Sequence, residues 1–233
     1  MIFSDKLVKA KFIKRYKRFF SEHVLEDGTK VIAHCANTGA MMGLNQEGIT
    51  SWLQKNNDPK RKLKWSWELC QINSTFIGVN THNPNKIVEE ALKSNKIPQL
   101  KNYISFKREV KYGDNSKIDF LLKYSIEKDC YLEIKNVHLS RKSYLAEFPD
   151  SITARGKKHM NELSKVKEKG YRAVILYLIQ RNDCKNFKIA KDIDKEYYVE
   201  FCKAVNAGVE VICVDTLLNE NEISFGKQIK LLM

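Results

Sequence analysis

Asp119, Glu133 and Lys135 are the residues of this chain whose types and spacing can do chemistry. Each lies in a short apolar run, Lys117-Ile118-Asp119-Phe120-Leu121-Leu122 or Tyr131-Leu132-Glu133-Ile134-Lys135-Asn136-Val137, and both runs read as strands. Successive side chains on a strand alternate faces, so Glu133 and Lys135 point one way while Leu132 and Ile134 point the other. Ile126 to Cys130 supplies the hairpin connection between the two strands. If the strands pair, two acids and a lysine converge on one patch of sheet. Two carboxylates can hold a hard cation such as Mg2+ or Mn2+, and a lysine can sit beside the attacking water, as a phosphodiester site requires. A Glu-x-Lys pattern is also the face of an ordinary solvated hairpin, and it is so common a pattern that these residues alone favour the hairpin.

The elements around the patch decide which reading is pursued. Asn83-Pro84-Asn85 is a polar turn that divides the chain into residues 1–82 and 83–233. After it come a helix from Lys86 to Leu92, a strand from Tyr103 to Tyr112, a turn at Gly113-Asp114-Asn115, and then the two acidic strands. Asp150 or Ser151 is placed to cap a helix carrying Ile152, Gly156, Met160, Leu163 and Val166 at three-to-four spacing. The apolar run 171–179 reads as a buried strand, followed by a helix over Lys195 to Asn206 and a strand over 209–214. The expected second half is therefore an α/β sheet with helices on its faces. Glu89 and Glu90, on the first helix, are adjacent, so one of them at most can face inward as a further acid.

The first half reads as β-structure. Seven basic residues between Lys6 and Arg18 interleave with apolar and aromatic ones, which favours strands broken near Lys14. Glu26-Asp27-Gly28 is a hairpin signal, with Thr29 to His34 as the return strand. Further strands are expected over Lys64 to Gln71 and Thr75 to Val79. About five short strands in roughly 80 residues match a small OB-fold-like barrel. On such a barrel Arg15, Lys17 and Arg18 can track phosphates while Tyr16, Trp65 and Trp67 stack bases, or the tryptophans can fill the core. Lys60, Arg61 and Lys62 form a second basic cluster, in a loop suited to phosphate contact. His34 beside Cys35 is no catalytic pair, because neighbours on a strand face opposite ways.

Composition bounds the rest. The net charge of +13, from 41 Lys+Arg against 28 Asp+Glu, makes nucleic acid the first partner to consider, although the lysine-rich usage also fits an AT-rich genome. The six cysteines show no Cys-x-x-Cys spacing, so reduced thiols are expected and a zinc site is not. No apolar run is long enough for a signal peptide or a bilayer span, and a cytoplasmic protein is expected.

The order helix, meander with Asp then Glu-x-Lys, helix, strand resembles the restriction-endonuclease-like nuclease fold. Longer strings are more specific. Arg15-Tyr16-Lys17-Arg18-Phe19, His34-Cys35-Ala36-Asn37-Thr38-Gly39, Asn57 to Leu63, Gly78-Val79-Asn80-Thr81, Lys117 to Leu121, Glu133 to Val137, and Phe148-Pro149-Asp150 through His159 occur in order along nearly the whole chain. Together they resemble the sugar fermentation stimulation protein A (SfsA) family. That resemblance implies an OB-fold domain followed by a nuclease-like domain, non-specific DNA binding and a regulatory role in sugar (maltose) metabolism. It implies that Asp119 and Glu133 ligate Mg2+ or Mn2+, with the Ile134 carbonyl as an extra ligand and Lys135 by the water. Arg155, Lys158 and His159, early in the helix after Asp150, would position phosphate. The chain departs from the family pattern at Ala36, Ala40, Lys117 and His138, none of which is an expected metal ligand. Two functions follow: a DNA binder that uses the nuclease-like fold as a scaffold, or an active divalent-metal endonuclease. An oligosaccharide-binding barrel is a third, against which the basic charge argues.

Overall fold

The computed structural model describes residues 1–114 and 116–233; Asn115, the last residue of the turn expected at 113–115, lies outside the described residues. The first half holds β1 (Val8–Tyr16), β2 (Phe20–Leu25), β3 (Lys30–His34), β4 (Thr50–Lys55), β5 (Trp65–Ile72) and β6 (Thr75–Gly78). The break expected near Lys14 is a bulge between Phe12 and Lys14 inside one continuous strand. Thr50–Lys55 is a strand that its sequence does not announce, since it has turn residues on both sides and one charged residue, Lys55. The sheet runs β3-β2-β1-β4-β5-β6, and β3 also pairs in parallel with β5, which closes a five-stranded barrel. Phe12, Leu53 and Trp67 fill it, and the Trp67 ring stacks on Phe12 with centroids 4.9 Å apart.

The second half contains α1 (Asn83–Lys93), β7 (Ser105–Tyr112), β8 (Ser116–Lys123), β9 (Cys130–Val137), β10 (Leu139–Lys142) and β11 (Leu145–Phe148). It continues with α2 (Ala154–Glu168), β12 (Arg172–Ile179), β13 (Asn186–Ile189), α3 (Lys195–Asn206), β14 (Glu210–Leu218), β15 (Ile223–Gln228) and β16 (Lys230–Leu232). Its main sheet has the order β15-β14-β12-β9-β8-β7, with β9, β12 and β14 mutually parallel. The unbroken apolar run of β12 follows from burial on both faces. Val174, Leu176 and Leu178 pack towards α1, and Ala173, Ile175, Tyr177 and Ile179 towards α2 and α3.

Pro84 does not precede α1 as a turn residue; it occupies its first turn, where a missing N–H costs nothing. The N-cap of α2 is Thr153, whose Oγ1 accepts from Gly156 N at 3.0 Å, not Asp150 or Ser151. Ile152 is consequently outside the helix and 81% exposed. Asp150 is drawn away to the barrel, where its Oδ2 accepts from Met41 N at 2.9 Å and lies 3.3 Å from His138 Nε2. Gly156 lets α2 approach α3: a Cβ there would meet the Tyr197 ring at 3.1 Å. Leu7 and Leu69 of the first half belong to the same core as α1 and β9, and Gly78 N donates to Gln180 O at 2.8 Å, so the halves share packing and backbone pairing. The six cysteines are free, and no helix among the described residues is long and apolar enough to cross a membrane.

Candidate metal and phosphodiester site

Strands β8 and β9 pair antiparallel through Phe120 and Leu132, and Asp119 and Glu133 are the next residue on each strand. The ladder ends at Phe120 and Leu132. Beyond it, Ile134 N–H donates to Asp119 Oδ2 at 2.7 Å, so a carboxylate replaces the backbone carbonyl the ladder would have supplied. Asp119 Oδ1 accepts from Asn85 Nδ2 of α1 at 2.8 Å. Leu132 and Ile134 face the α1 side of the sheet, and Glu133 faces α2.

Glu133 is 3% exposed. Its Oε1 accepts from Lys135 Nζ at 2.8 Å and from His159 Nδ1 of α2, while its Oε2 is buried with no hydrogen-bond partner among the described residues. Arg155 Nε donates to His159 Nε2 at 3.4 Å, which fixes the ring proton on Nδ1 and makes His159 a donor to the carboxylate. Burial pushes the Glu133 carboxyl up, but Lys135 and then His159 outweigh it and hold it below the usual carboxylate range. Asp119 goes the other way, raised by burial and then by the Glu133 charge. Two like-charged acids held in this balance gain from a cation placed between them.

Two more buried atoms nearby, Tyr112 OH and Glu162 Oε2, have no hydrogen-bond partner among the described residues. The Tyr112 phenol is pushed up by burial and then by Glu133, Glu162 and Asp119, which places it in the field of all three acids. Glu162 Oε1 accepts from Asp114 N at 3.1 Å. Residue type alone does not mark Asn85, Tyr112 or Glu162 as neighbours of the acids. Glu162 carried a signal, standing three residues after His159 and so on the same helix face. Glu89 pairs with Lys93 and Arg108, and Glu90 with the Met1 amino group, so neither turns towards the acids.

No group of three or more His, Cys, Asp or Glu able to hold a metal ion occurs among the described residues. The donors present still fit Mg2+ or Mn2+. Such ions take few protein carboxylates and keep several waters, and the partnerless Glu133 Oε2 is an oxygen free to ligate.

The expected phosphate contacts are spread over three surfaces. Arg15 gives both terminal nitrogens to main-chain carbonyls, Asn37 O at 3.0 Å and Gly39 O at 2.7 Å, and Tyr16 stacks on Phe20. Lys17 and Arg18 are exposed in the following turn, both with positive φ. Lys60, Arg61 and Lys62 are exposed in the β4–β5 loop. Arg155 and Lys158 are exposed on α2, with Lys158 Nζ donating to Asp114 O at 2.5 Å, whereas His159 is buried on Glu133. Trp67 belongs to the barrel core and Trp65 is half-buried under Lys55 Nζ.

Two family models match the chain: "SfsA N-terminal OB domain" over residues 13–79 and "Sugar fermentation stimulation protein RE domain" over 82–222. A sugar fermentation stimulation protein homolog of Ruegeria sp. (strain TM1040) is 48% identical over 227 residues, covering 97% of this chain and 98% of its own. The homolog of Agrobacterium fabrum is 44% identical over 231 residues, 99% of this chain and 97% of its own. The solved structure of Pyrococcus furiosus SfsA in complex with Ca2+ superposes with a TM-score of 0.91 at 23% identity, covering 100% of this chain and 98% of that one, and shares its fold. An OB barrel followed by a restriction-endonuclease-like α/β domain is thus the architecture, and the chain belongs to the sugar fermentation stimulation protein (SfsA) family.

Proposed function

We propose that this chain is a non-specific DNA-binding protein with a nuclease-like divalent-metal site on Asp119, Glu133 and the Ile134 carbonyl. One observation carries the reading: Glu133 is buried, ionised and tethered through one oxygen, while the other has no partner among the described residues. A hard cation such as Mg2+ or Mn2+ would neutralise the acid pair and supply a polarised water and a charge for a phosphate oxygen. Asn85 and Ile134 N–H orient Asp119, and His159 and Lys135 orient Glu133. The Pyrococcus furiosus relative, solved with Ca2+, supports an oxygen-ligand cation in this family. The exposed lysines and arginines of the barrel turn, the β4–β5 loop and α2 supply contacts to the DNA backbone. The regulatory role in sugar metabolism implied by the family would be exercised through that association, in the cytoplasm.

Cleavage is the second reading, favoured by Lys135: its Nζ is bonded to Glu133 and 3.4 Å from His159, where a pure scaffold has no use for it. The test is duplex and single-stranded DNA binding across a salt series, with Mg2+ and Mn2+ titrated into the wild type and Glu133→Gln. DNA affinity should fall steeply with salt, and metal binding should be lost in the variant. Salt-independent binding, or equal metal affinity in both proteins, rejects the proposal. Nicking of supercoiled DNA that disappears in Lys135→Ala selects the nuclease.

A further inference from the structure

A cleft of about 670 Å³ opens where the barrel, the N-terminal segment and the start of α1 meet. His34 enters it from β3, Arg61 and Lys62 from the β4–β5 loop, and His82 and Lys86 from the start of α1. Among the described residues, the ring nitrogens of His34 and His82 and the ammonium groups of Lys62 and Lys86 have no hydrogen-bond or ion-pair partner, and Arg61 spends one nitrogen, on Asn56 Oδ1 at 3.1 Å. Among the described residues one acid lines the cleft, Glu68, and it is 4% exposed. Its oxygens accept from Asn80 Nδ2 at 2.9 and 3.0 Å and from Asn83 Nδ2 at 3.0 Å, so its charge is engaged by two amides. Met1, Ile2, Phe3 and Leu63 add an apolar share of the lining.

The geometry points to this cleft as a binding site for a nucleoside monophosphate, either free or as the terminal nucleotide of a nucleic-acid strand. The volume falls within the range of about 300–1,000 Å³ that holds small ligands and is far larger than one phosphate needs. Unpaired cations suit the phosphate, and the imidazoles, the guanidinium and the apolar lining suit the flat face of a base. The His34 imidazole is held below its usual range by burial, then by His82 and Arg61, with Glu68 opposing. A phosphate brought in beside it would reverse that balance. The first turn of α1 separates the cleft from the acid pair, since Asn83 and Lys86 line the former and Asn85 bonds Asp119. The inference rests on reading the chain as a nucleic-acid binder, yet it concerns a different surface from the acid pair.

The experiment uses the full chain, with adenosine 5′-monophosphate, adenosine and inorganic phosphate as calorimetric probes. Histidine NMR follows His34, which faces His82, Arg61 and Glu68 with Lys62 and Lys86 lining the same cleft. Saturable binding of the monophosphate is expected, about tenfold tighter than either fragment, with the His34 titration moved to higher pH and binding weakened about tenfold in Lys62→Ala/Lys86→Ala, both exposed positions. An unmoved His34 titration at saturating nucleotide, or equal affinity in wild type and the double variant, overturns the site. Competition by a short oligonucleotide with a terminal phosphate, and not by its hydroxyl counterpart, identifies a strand end; no competition by either identifies the free nucleotide. Duplex DNA binding is measured on the same preparation. DNA binding without nucleotide binding rejects the cleft alone, and nucleotide binding without DNA binding rejects the wider reading alone.

Discussion

Glu133 and Glu147 are two buried glutamates in the same half of the molecule, 3% and 2% exposed. Burial pushes both carboxyls up, and neighbouring cations bring both below the usual range. They differ in the second oxygen. Glu147 Oε1 accepts from Arg141 Nη2 at 2.8 Å with Lys188 Nζ at 3.3 Å, and its Oε2 accepts from Arg141 Nε at 2.8 Å and Arg141 N at 3.3 Å. Among the described residues, Glu133 Oε1 takes two donors and its Oε2 takes none. A buried acceptor left open costs about 1–3 kcal/mol, so it persists where something outside the fold uses it. Glu147 is closed, and its work is to hold β10, β11 and β13 together. Glu133 is open, and its free oxygen is the feature that stability does not explain.

The largest expected effect tests the open cluster. If the site cuts DNA, Lys135→Ala should lower the cleavage rate about 10²–10³-fold, or about 3–4 kcal/mol, as for the loss of one charge-stabilising donor. Arg141→Ala, its counterpart beside Glu147, should leave cleavage unchanged. Single-turnover rates on supercoiled DNA measure both, and equal losses would dissolve the contrast.

A second closed cluster sharpens the contrast through pH. His23, fully buried in the barrel, has Nδ1 2.8 Å from Ser51 Oγ and Nε2 2.8 Å from Ser21 Oγ, and burial holds its pKa down to about 4. The folded state therefore binds its proton later than the unfolded chain, whose histidine titrates near 6.5. Stability is fully present above about pH 6.5 and is lost as pH falls towards 4, by about 3 kcal/mol in all. Urea melts across that window should show the loss in the wild type and a flatter profile in His23→Gln. Parallel profiles for the two proteins would show that the imidazole does not have to stay neutral in the fold. Glu147→Gln comes next in size, at about 2 kcal/mol by urea melt: it weakens charge-assisted bonds, while Arg141 and Lys188 keep solvent contact and soften the cost. Glu133→Gln should cost less than that, because relief of the Asp119 repulsion offsets its lost bonds.

The acid pair and Lys135 were legible because a strand's two-residue period fixes which side chains share a face. The barrel was legible from its turn chemistry, and β12 from a run too apolar for a one-sided strand. Contacts set by tertiary approach left no local mark. Asp150 looks like a helix cap by type and position, yet Met41 of the β3–β4 loop and His138 between β9 and β10 claim it and leave Thr153 to cap α2. His159 looks like a surface phosphate contact in a basic stretch, but the packing of α2 on β9 turns it onto Glu133. Asn85, which holds Asp119, is a turn residue by composition, and its role depends on where α1 lands. Glu162 shared a helix face with His159, and only the position of β7 and its turn shows that this face meets the acids.

The smallest effect bears most directly on open against closed. Tyr177 OH and Tyr197 OH lie 2.5 Å apart in the core under α3, one donating and the other accepting, whereas the Tyr112 OH is buried beside the acids with no partner among the described residues. Tyr197→Phe deletes a satisfied buried bond and strands the Tyr177 hydroxyl, so a loss of about 1 kcal/mol is expected. Tyr112→Phe deletes an atom that bonds to none of the described residues, so the urea midpoint should hold steady or rise slightly. Adding Mg2+ should stabilise the wild type by mass action and stabilise Tyr112→Phe equally, since a phenol is not among the expected ligands. A loss of about 1 kcal/mol in Tyr112→Phe without metal would mean that solvent closes this patch as fully as protein closes the other. The open oxygen of Glu133 would then be an ordinary hydrated one, and the case for a cation there would have to rest on Asp119 and the ion's own binding isotherm.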